Sequence, residues 1–394
     1  MTTLTLRTPS FSSMTSSRND FLLLGVTVCL VVIGLVMSAS ASIDVADIRN
    51  NNPFHYLLRH SLFVFMGLTA AIFVYQIPVQ WWEKSGWLAL SISMILLLLV
   101  LLPGLGKTVN GSTRWIAMGG INLQPSELAK LFLVSYLAGY LVRRQHEVRS
   151  SWWGFVKPMI ILSAAAVLLL LEPDFGATVV IGSAFLGMIF LSGARLGQFM
   201  VLIAGCIAAV AGLILSQPYR LERLMGYADP WADQFGAGYQ LTQSLIAFGR
   251  GDWMGVGLGN SIQKQFYLPE AHTDFVFAIV AEEFGLLGSM IVIALFSILV
   301  YRALRIGLKA ERVGRYFHAY FAYGIALLLG VQSFINLGVS MGLLPTKGLT
   351  LPLVSYGGSS LIVSSMAIGI LARIHRETFD HPSKADESGG SYAR

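Results

Sequence analysis

Phe275–Leu299 reads FVFAIVAEEFGLLGSMIVIALFSIL, and its only charges are Glu282 and Glu283. A helix needs about 20 mostly apolar residues to cross a bilayer's hydrocarbon, so this run is a spanning segment. Nine more follow the same pattern: Phe21–Ala41, Ser61–Ile77, Trp87–Leu102, Ser126–Val142, Phe155–Leu171, Gly176–Leu191, Phe199–Leu215, Phe317–Leu343 and Gly357–Ile374. Composition agrees. Charged residues are 12% of the 394 and hydrophobic residues 55%, against roughly 25% charged in ordinary globular chains. So few charges cannot cover a soluble surface, which excludes a soluble enzyme. The 45 aromatic residues (23 Phe, 14 Tyr, 8 Trp) exclude a disordered chain. The expected fold is an all-α polytopic membrane protein with ten transmembrane helices, because continuous apolar runs leave no alternating barrel strands.

Lys and Arg give the orientation. With a cytoplasmic N-terminus, seventeen of them fall in inside segments and nine in outside segments, so both termini are expected inside. The basic residues are dispersed between spans and form no nucleic-acid face. The chain divides into an N-terminal cytoplasmic tail (1–20), a ten-helix membrane domain (21–375) and a C-terminal cytoplasmic tail (376–394), expected to be disordered. One large periplasmic loop, 216–273, separates spans seven and eight. It is too long for a connector, and Tyr239–Phe248 within it reads as an amphipathic helix at the interface. Ser38–Ser42 resembles a signal-peptidase site, but the apolar run before it is long for a signal peptide, so an uncleaved anchor is expected. Cys29 and Cys206 lie in apolar runs and read as core residues.

Ionisable side chains in or beside spans are costly and therefore functional candidates. They are Glu127 and Lys130 in the fourth span, Glu172 and Asp174 between the fifth and sixth, Asp274 heading the eighth, Glu282 and Glu283 within it, and Lys347 in the last outer loop. Asp274 has two compatible readings: a helix N-cap, or a carboxylate at a cavity mouth poised as a general base. Glu127 and Lys130, spaced i, i+3, are suited to neutralise each other. At 100° per residue, at most one of Glu282 and Glu283 faces the same space as Asp274. Arg250-Gly251-Asp252 and the glycines of Gly255–Gly259 carry no assigned chemistry, and no metal-ligand spacing is present.

Asn336–Ser360, NLGVSMGLLPTKGLTLPLVSYGGSS, closely resembles the signature of the SEDS family of cell-shape and division proteins. GSTRWI (Gly111–Ile116), QPSELAKL (Gln124–Leu131), EPDFG (Glu172–Gly176) and YLPEAHTDFVFAIVAEEFGLLG (Tyr267–Gly288) resemble it too, in the expected order. Ala247–Phe275 is more similar to the division branch than to the elongation branch. The resemblance implies an inner-membrane glycosyltransferase at the division septum, polymerising lipid II on the periplasmic side with undecaprenyl diphosphate as leaving group. It places the essential aspartate at Asp274, with His272 and Thr273 beside it and Ser355, Gly357 and Gly358 in the signature. On charge and side, Arg114, Lys130, Arg220 and Lys347 are candidates to hold the diphosphate. No cofactor is called for, and a divalent cation at the diphosphate is left open. The implied partners are lipid II, membrane lipids, a class B penicillin-binding protein and divisome regulators. Two other readings stand beside this one: a lipid II flippase, which a proton-driven Glu282 or Glu283 would favour, and a non-catalytic scaffold for a septal transpeptidase.

Overall fold

A computed structural model describes residues 20–109, 112–118, 121–216, 226–227, 229–236, 238–346 and 348–379. The helices are α1 (Phe21–Asn50), α2 (His55–Gln76), α3 (Val79–Lys84), α4 (Gly86–Leu101), α5 (Pro125–Arg143), α6 (Gln145–Ser150) and α7 (Trp153–Leu171). They continue as α8 (Phe175–Leu191), α9 (Leu196–Leu215), α10 (Tyr239–Gly251), α11 (Val276–Arg312), α12 (Tyr316–Ser340) and α13 (Gly358–Phe379). Each apolar run named above coincides with one of them. Among the described residues, six helices are long and apolar enough to cross a membrane, and three apolar ones are shorter.

Burial sorts these helices into pillars and staves. In α12 and α13, 78% and 67% of the apolar window is buried, against 22% in α2. Helix α5 is also interior, buried from Pro125 through Leu141 at nearly every position. The outer helices α1, α2, α4 and α7 present Val28, Phe65, Leu88 and Ile160 outward, as expected where the surrounding solvent is hydrocarbon. Cys29 is exposed and Cys206 half-exposed, so neither is the core residue expected from sequence; they sit on outward faces. The double variant Cys29→Ser/Cys206→Ser is expected to keep full activity, measured beside wild type at matched abundance; a strong loss would contradict the absence of a role for either thiol.

The structure departs from the all-α expectation in the loop between α4 and α5. Strands β1 (Gly106–Val109), β2 (Ser112–Met118) and β3 (Ile121–Leu123) form an antiparallel sheet in the order β1-β2-β3. Lys107 pairs with Trp115 and Ile116 with Leu123. The strands are too short to stand out beside the apolar runs. The C-terminal boundary also moves, because α13 continues to Phe379. There Glu377 accepts from Arg373 (2.7 Å) and meets His318 (2.9 Å).

Helix α11 is two helices joined at a break. Gly285 adopts φ 66°, ψ −160°, a left-handed backbone open to glycine. A break frees backbone groups that must be paired inside a membrane, and the chain after α10 supplies the partners. Val256 and Gly257 donate to the carbonyls of Glu282 and Glu283 (both 3.0 Å), while Leu286 and Leu287 donate to those of Asp252 (2.8 Å) and Trp253 (3.3 Å). A Cβ on Gly251 would strike the Ala281 carbonyl, and one on Gly255 the Glu283 carbonyl. The glycines left without a role in the sequence are therefore what lets this loop dock.

Candidate functional site

Asp274 lies in the turn Glu270–Phe275, just before α11. The Glu270 carbonyl accepts from the backbone N–H groups of Thr273, Asp274 (both 3.1 Å) and Phe275 (3.3 Å), and the Thr273 hydroxyl donates to the Glu270 carboxylate at 2.9 Å. The helix cap is Phe275, with no side-chain bond. Asp274 is thus not the N-cap that its position suggested. The turn tightens one residue later and leaves its carboxylate free.

Helix α12 holds this turn against the loop before α13. The Asn336 amide donates to the carbonyls of Asp274 (2.8 Å) and Leu349 (2.5 Å). One turn earlier, Gln332 donates to the Thr350 carbonyl at 3.0 Å, and one turn later the Ser340 carbonyl accepts from Ser244 of α10 at 2.7 Å. Gln332 and Asn336, four residues apart in an apolar helix, were readable in the sequence, and with the Ser340 carbonyl they fasten two loops and α10 to one pillar. Tyr356 N–H donates to the His272 carbonyl at 3.1 Å, and the His272 ring packs between Tyr56 and Tyr356. Ser355 closes its own loop by accepting from Leu351 N–H at 2.9 Å. Gly357 and Gly358 admit Thr350 and the Phe63 ring at distances a Cβ would crowd.

The Asp274 carboxylate opens on the backbone of Gly348, where a Cβ would stand 3.2 Å from Oδ2. No described residue donates a hydrogen bond to it. It is half-buried, with protein closing around it on most sides. Burial first, then the Glu270 charge, raise it to about 7, against the opposing pull of Arg114. Near neutrality such a group exchanges its proton readily.

Arg114 reaches the same region from β2. It donates to the Pro173 carbonyl and lies 4.0 Å from Asp174. Asp174 is buried and satisfied: it caps α8 through Ala177 N–H (3.1 Å) and accepts from Ser126 (3.0 Å) and Gln124 (3.2 Å). Two quoted motifs, QPSE and EPDFG, are therefore one structure, with Pro125 in the first turn of α5, where its missing N–H costs nothing.

Other expected residues go elsewhere. Lys130 is buried, bonded to Glu127 (2.8 Å) and Gln332 (2.6 Å), so it braces α5 against α12 and is no free cation. Glu282 accepts from Arg250 (2.7 Å), Ser261, Ile262 N–H (3.0 Å) and Gln263 N–H (3.3 Å). Glu283 accepts from Ser40 (2.6 Å) and Lys264 (3.0 Å). Both glutamates anchor the large loop. Arg220 and Lys347 lie outside the described residues. Among the described residues no group of three or more His, Cys, Asp or Glu is placed to hold a metal ion. An apolar crevice of about 460 Å³, lined by Leu24, Val28, Leu68, Tyr75 and Ala372 among others, lies toward the opposite end of α2 and α13 and is not part of this site.

The helical pillars, outward apolar faces and paired break define a multi-pass membrane protein with the Asp274 carboxylate where its loops meet. The family model for the cell cycle proteins FtsW, RodA and SpoVE matches residues 20–379. The chain belongs to that family. It is 56% identical over 382 residues to the probable peptidoglycan glycosyltransferase FtsW of Hahella chejuensis, covering 95% of this chain and 96% of that one. It is 55% identical over 384 residues to the same-named protein of Marinobacter nauticus, covering 97% and 96%. Among solved structures, a chain of a peptidoglycan synthase complex that coordinates polymerization and crosslinking superposes with TM-score 0.74 at 28% identity, covering 92% of this chain and 99% of that one. The rod shape determining protein RodA of Thermus thermophilus gives 0.67 at 27%, covering 91% and 97%.

Proposed function

We propose that this chain is a peptidoglycan glycosyltransferase that polymerises lipid II at the outer face of the inner membrane during septal wall synthesis, with Asp274 as general base. The observation that carries the reading is the Asp274 carboxylate, which accepts from no described residue, opens on the Gly348 backbone and feels the Arg114 charge. The acceptor hydroxyl attacks the donor's anomeric carbon and passes its proton to Asp274. The bond to the undecaprenyl diphosphate breaks with its electron pair leaving on the phosphate oxygen, so no acid is needed at that oxygen. A cation lowers the cost of the developing charge. Arg114 is placed for this, and Lys347 and Arg220 are further candidates on charge and side.

This function requires the loop 216–273 and the cleft to face the periplasm, with ten crossings and both termini in the cytoplasm. Impermeant thiol labelling of intact cells tests this: Gln234→Cys is expected to react and Ser388→Cys to be protected, and the reverse pattern would overturn the site's placement. The saturated ion pairs of Glu282 and Glu283 argue against a proton-driven flippase built on them. A class B penicillin-binding protein and divisome regulators are the proposed partners, in line with the complex that the chain resembles. The deciding experiment is polymerisation of labelled lipid II by purified protein, alone and with its transpeptidase, each with and without a chelator. Absence of glycan strands in all arms would leave the scaffold reading.

A further inference from the structure

Glu172 ends α7, two residues before Asp174, and the two carboxylates have opposite surroundings. Asp174 has its donors, whereas Glu172 is 0% exposed and, among the described residues, neither of its oxygens has a hydrogen-bond partner. Arg114 bridges this turn through the Pro173 carbonyl, and among the described residues its own buried Nε–H also lacks an acceptor. An unpaired donor and an unpaired carboxyl thus share one corner of the site. A buried carboxylate without donors is far cheaper to keep neutral than charged. Burial first, and then the Asp174 charge, raise Glu172 to about 8 against the pull of Arg114. Among the described residues, Asp174 from its own turn and Arg114 from β2 are the charged groups acting on it; from the start of α5 it is Ser126 and the N-cap Gln124, both neutral, that pack into the turn. Arg114 also acts on Asp274, so one guanidinium serves three carboxylates.

We propose that Glu172 is a positioning residue: neutral, it leaves Arg114 to Asp174 and the cleft, and on ionising it draws the guanidinium toward itself and away from Asp274. This rests on Asp274 being the base. Activity then needs Asp274 ionised and Glu172 protonated, which gives a bell-shaped pH profile.

The test is the pH–rate profile of lipid II polymerisation by the full-length protein with its transpeptidase, as wild type and as Glu172→Gln. Glutamine fixes the neutral form, so the alkaline limb should disappear. With groups titrating near 7 and 8, the ratio of the rate at pH 9 to that at pH 7 should rise about tenfold over wild type. An activity-independent readout is the infrared band of a protonated carboxyl, followed in an Asp274→Asn background. It should fade between pH 7 and 9 and be absent once Glu172→Gln is added. An unchanged alkaline limb, or no carboxyl band fading in that range, would overturn the proposal. Failure of the Asp274 reading looks different: the acid limb below pH 7, which Glu172→Gln leaves in place, would be missing from both proteins. If Glu172→Gln does not accumulate, the band in the Asp274→Asn background decides alone.

Discussion

Asp274→Asn is expected to accumulate normally, bind its transpeptidase and polymerise lipid II roughly 10²–10⁴-fold more slowly, the usual cost of losing a general base. Asparagine keeps the size of the side chain. Because Asp274 caps no helix and no described residue donates to its carboxylate, the exchange removes no hydrogen bond that holds the fold. The turn itself is fixed through backbone groups, by the Glu270 carbonyl and the Asn336 amide, which the substitution leaves alone. The wild-type pH dependence carries the same signature. A carboxyl raised to about 7 is protonated below that pH and cannot accept a proton. The rate should therefore fall about tenfold per unit as pH drops further. Near-normal polymerisation by well-folded Asp274→Asn, measured beside its abundance, would remove the base from this site.

The largest expected loss of stability comes from Lys264→Met. Lys264 is buried, and its ammonium donates to Glu283 (3.0 Å), Ser40 (3.0 Å) and the Gly259 carbonyl (2.8 Å). Removing one partner of a buried pair typically costs about 3–5 kcal/mol, because the other charge is left uncompensated. Thermal unfolding in detergent should register this, together with faster proteolysis in the 252–267 segment that the pair secures. The double variant Lys264→Met/Glu283→Leu should recover most of the loss, since no charge is then stranded. A single variant as stable as wild type would show that Glu283 does not depend on Lys264, and would reopen a mobile, proton-binding role for that glutamate.

The sequence by itself determined the membrane class and the position of every apolar helix, and it singled out Asp274 as the candidate base. Those features are local: a helix in hydrocarbon must be apolar along its length and must satisfy its own backbone, so each span is written in consecutive residues. The family motifs likewise contain Asp274, Gly348 and Arg114, which the fold brings together. The sequence did not determine what the charges do, because an ion pair's partner is set by packing. Glu282 and Glu283 looked like intramembrane functional groups until Arg250 and Lys264, 32 and 19 residues earlier, proved to hold them. Lys130 looked like a substrate cation until Gln332, 202 residues away, closed its shell. The glycines at 251 and 255 read as noise because their partner is the break at Gly285, which no local pattern signals. Tertiary structure also separated two carboxylates two residues apart. Asp174 received a helix N-terminus and two side-chain donors, whereas Glu172 is buried with no hydrogen-bond partner among the described residues, a contrast that exists only once the chain is folded.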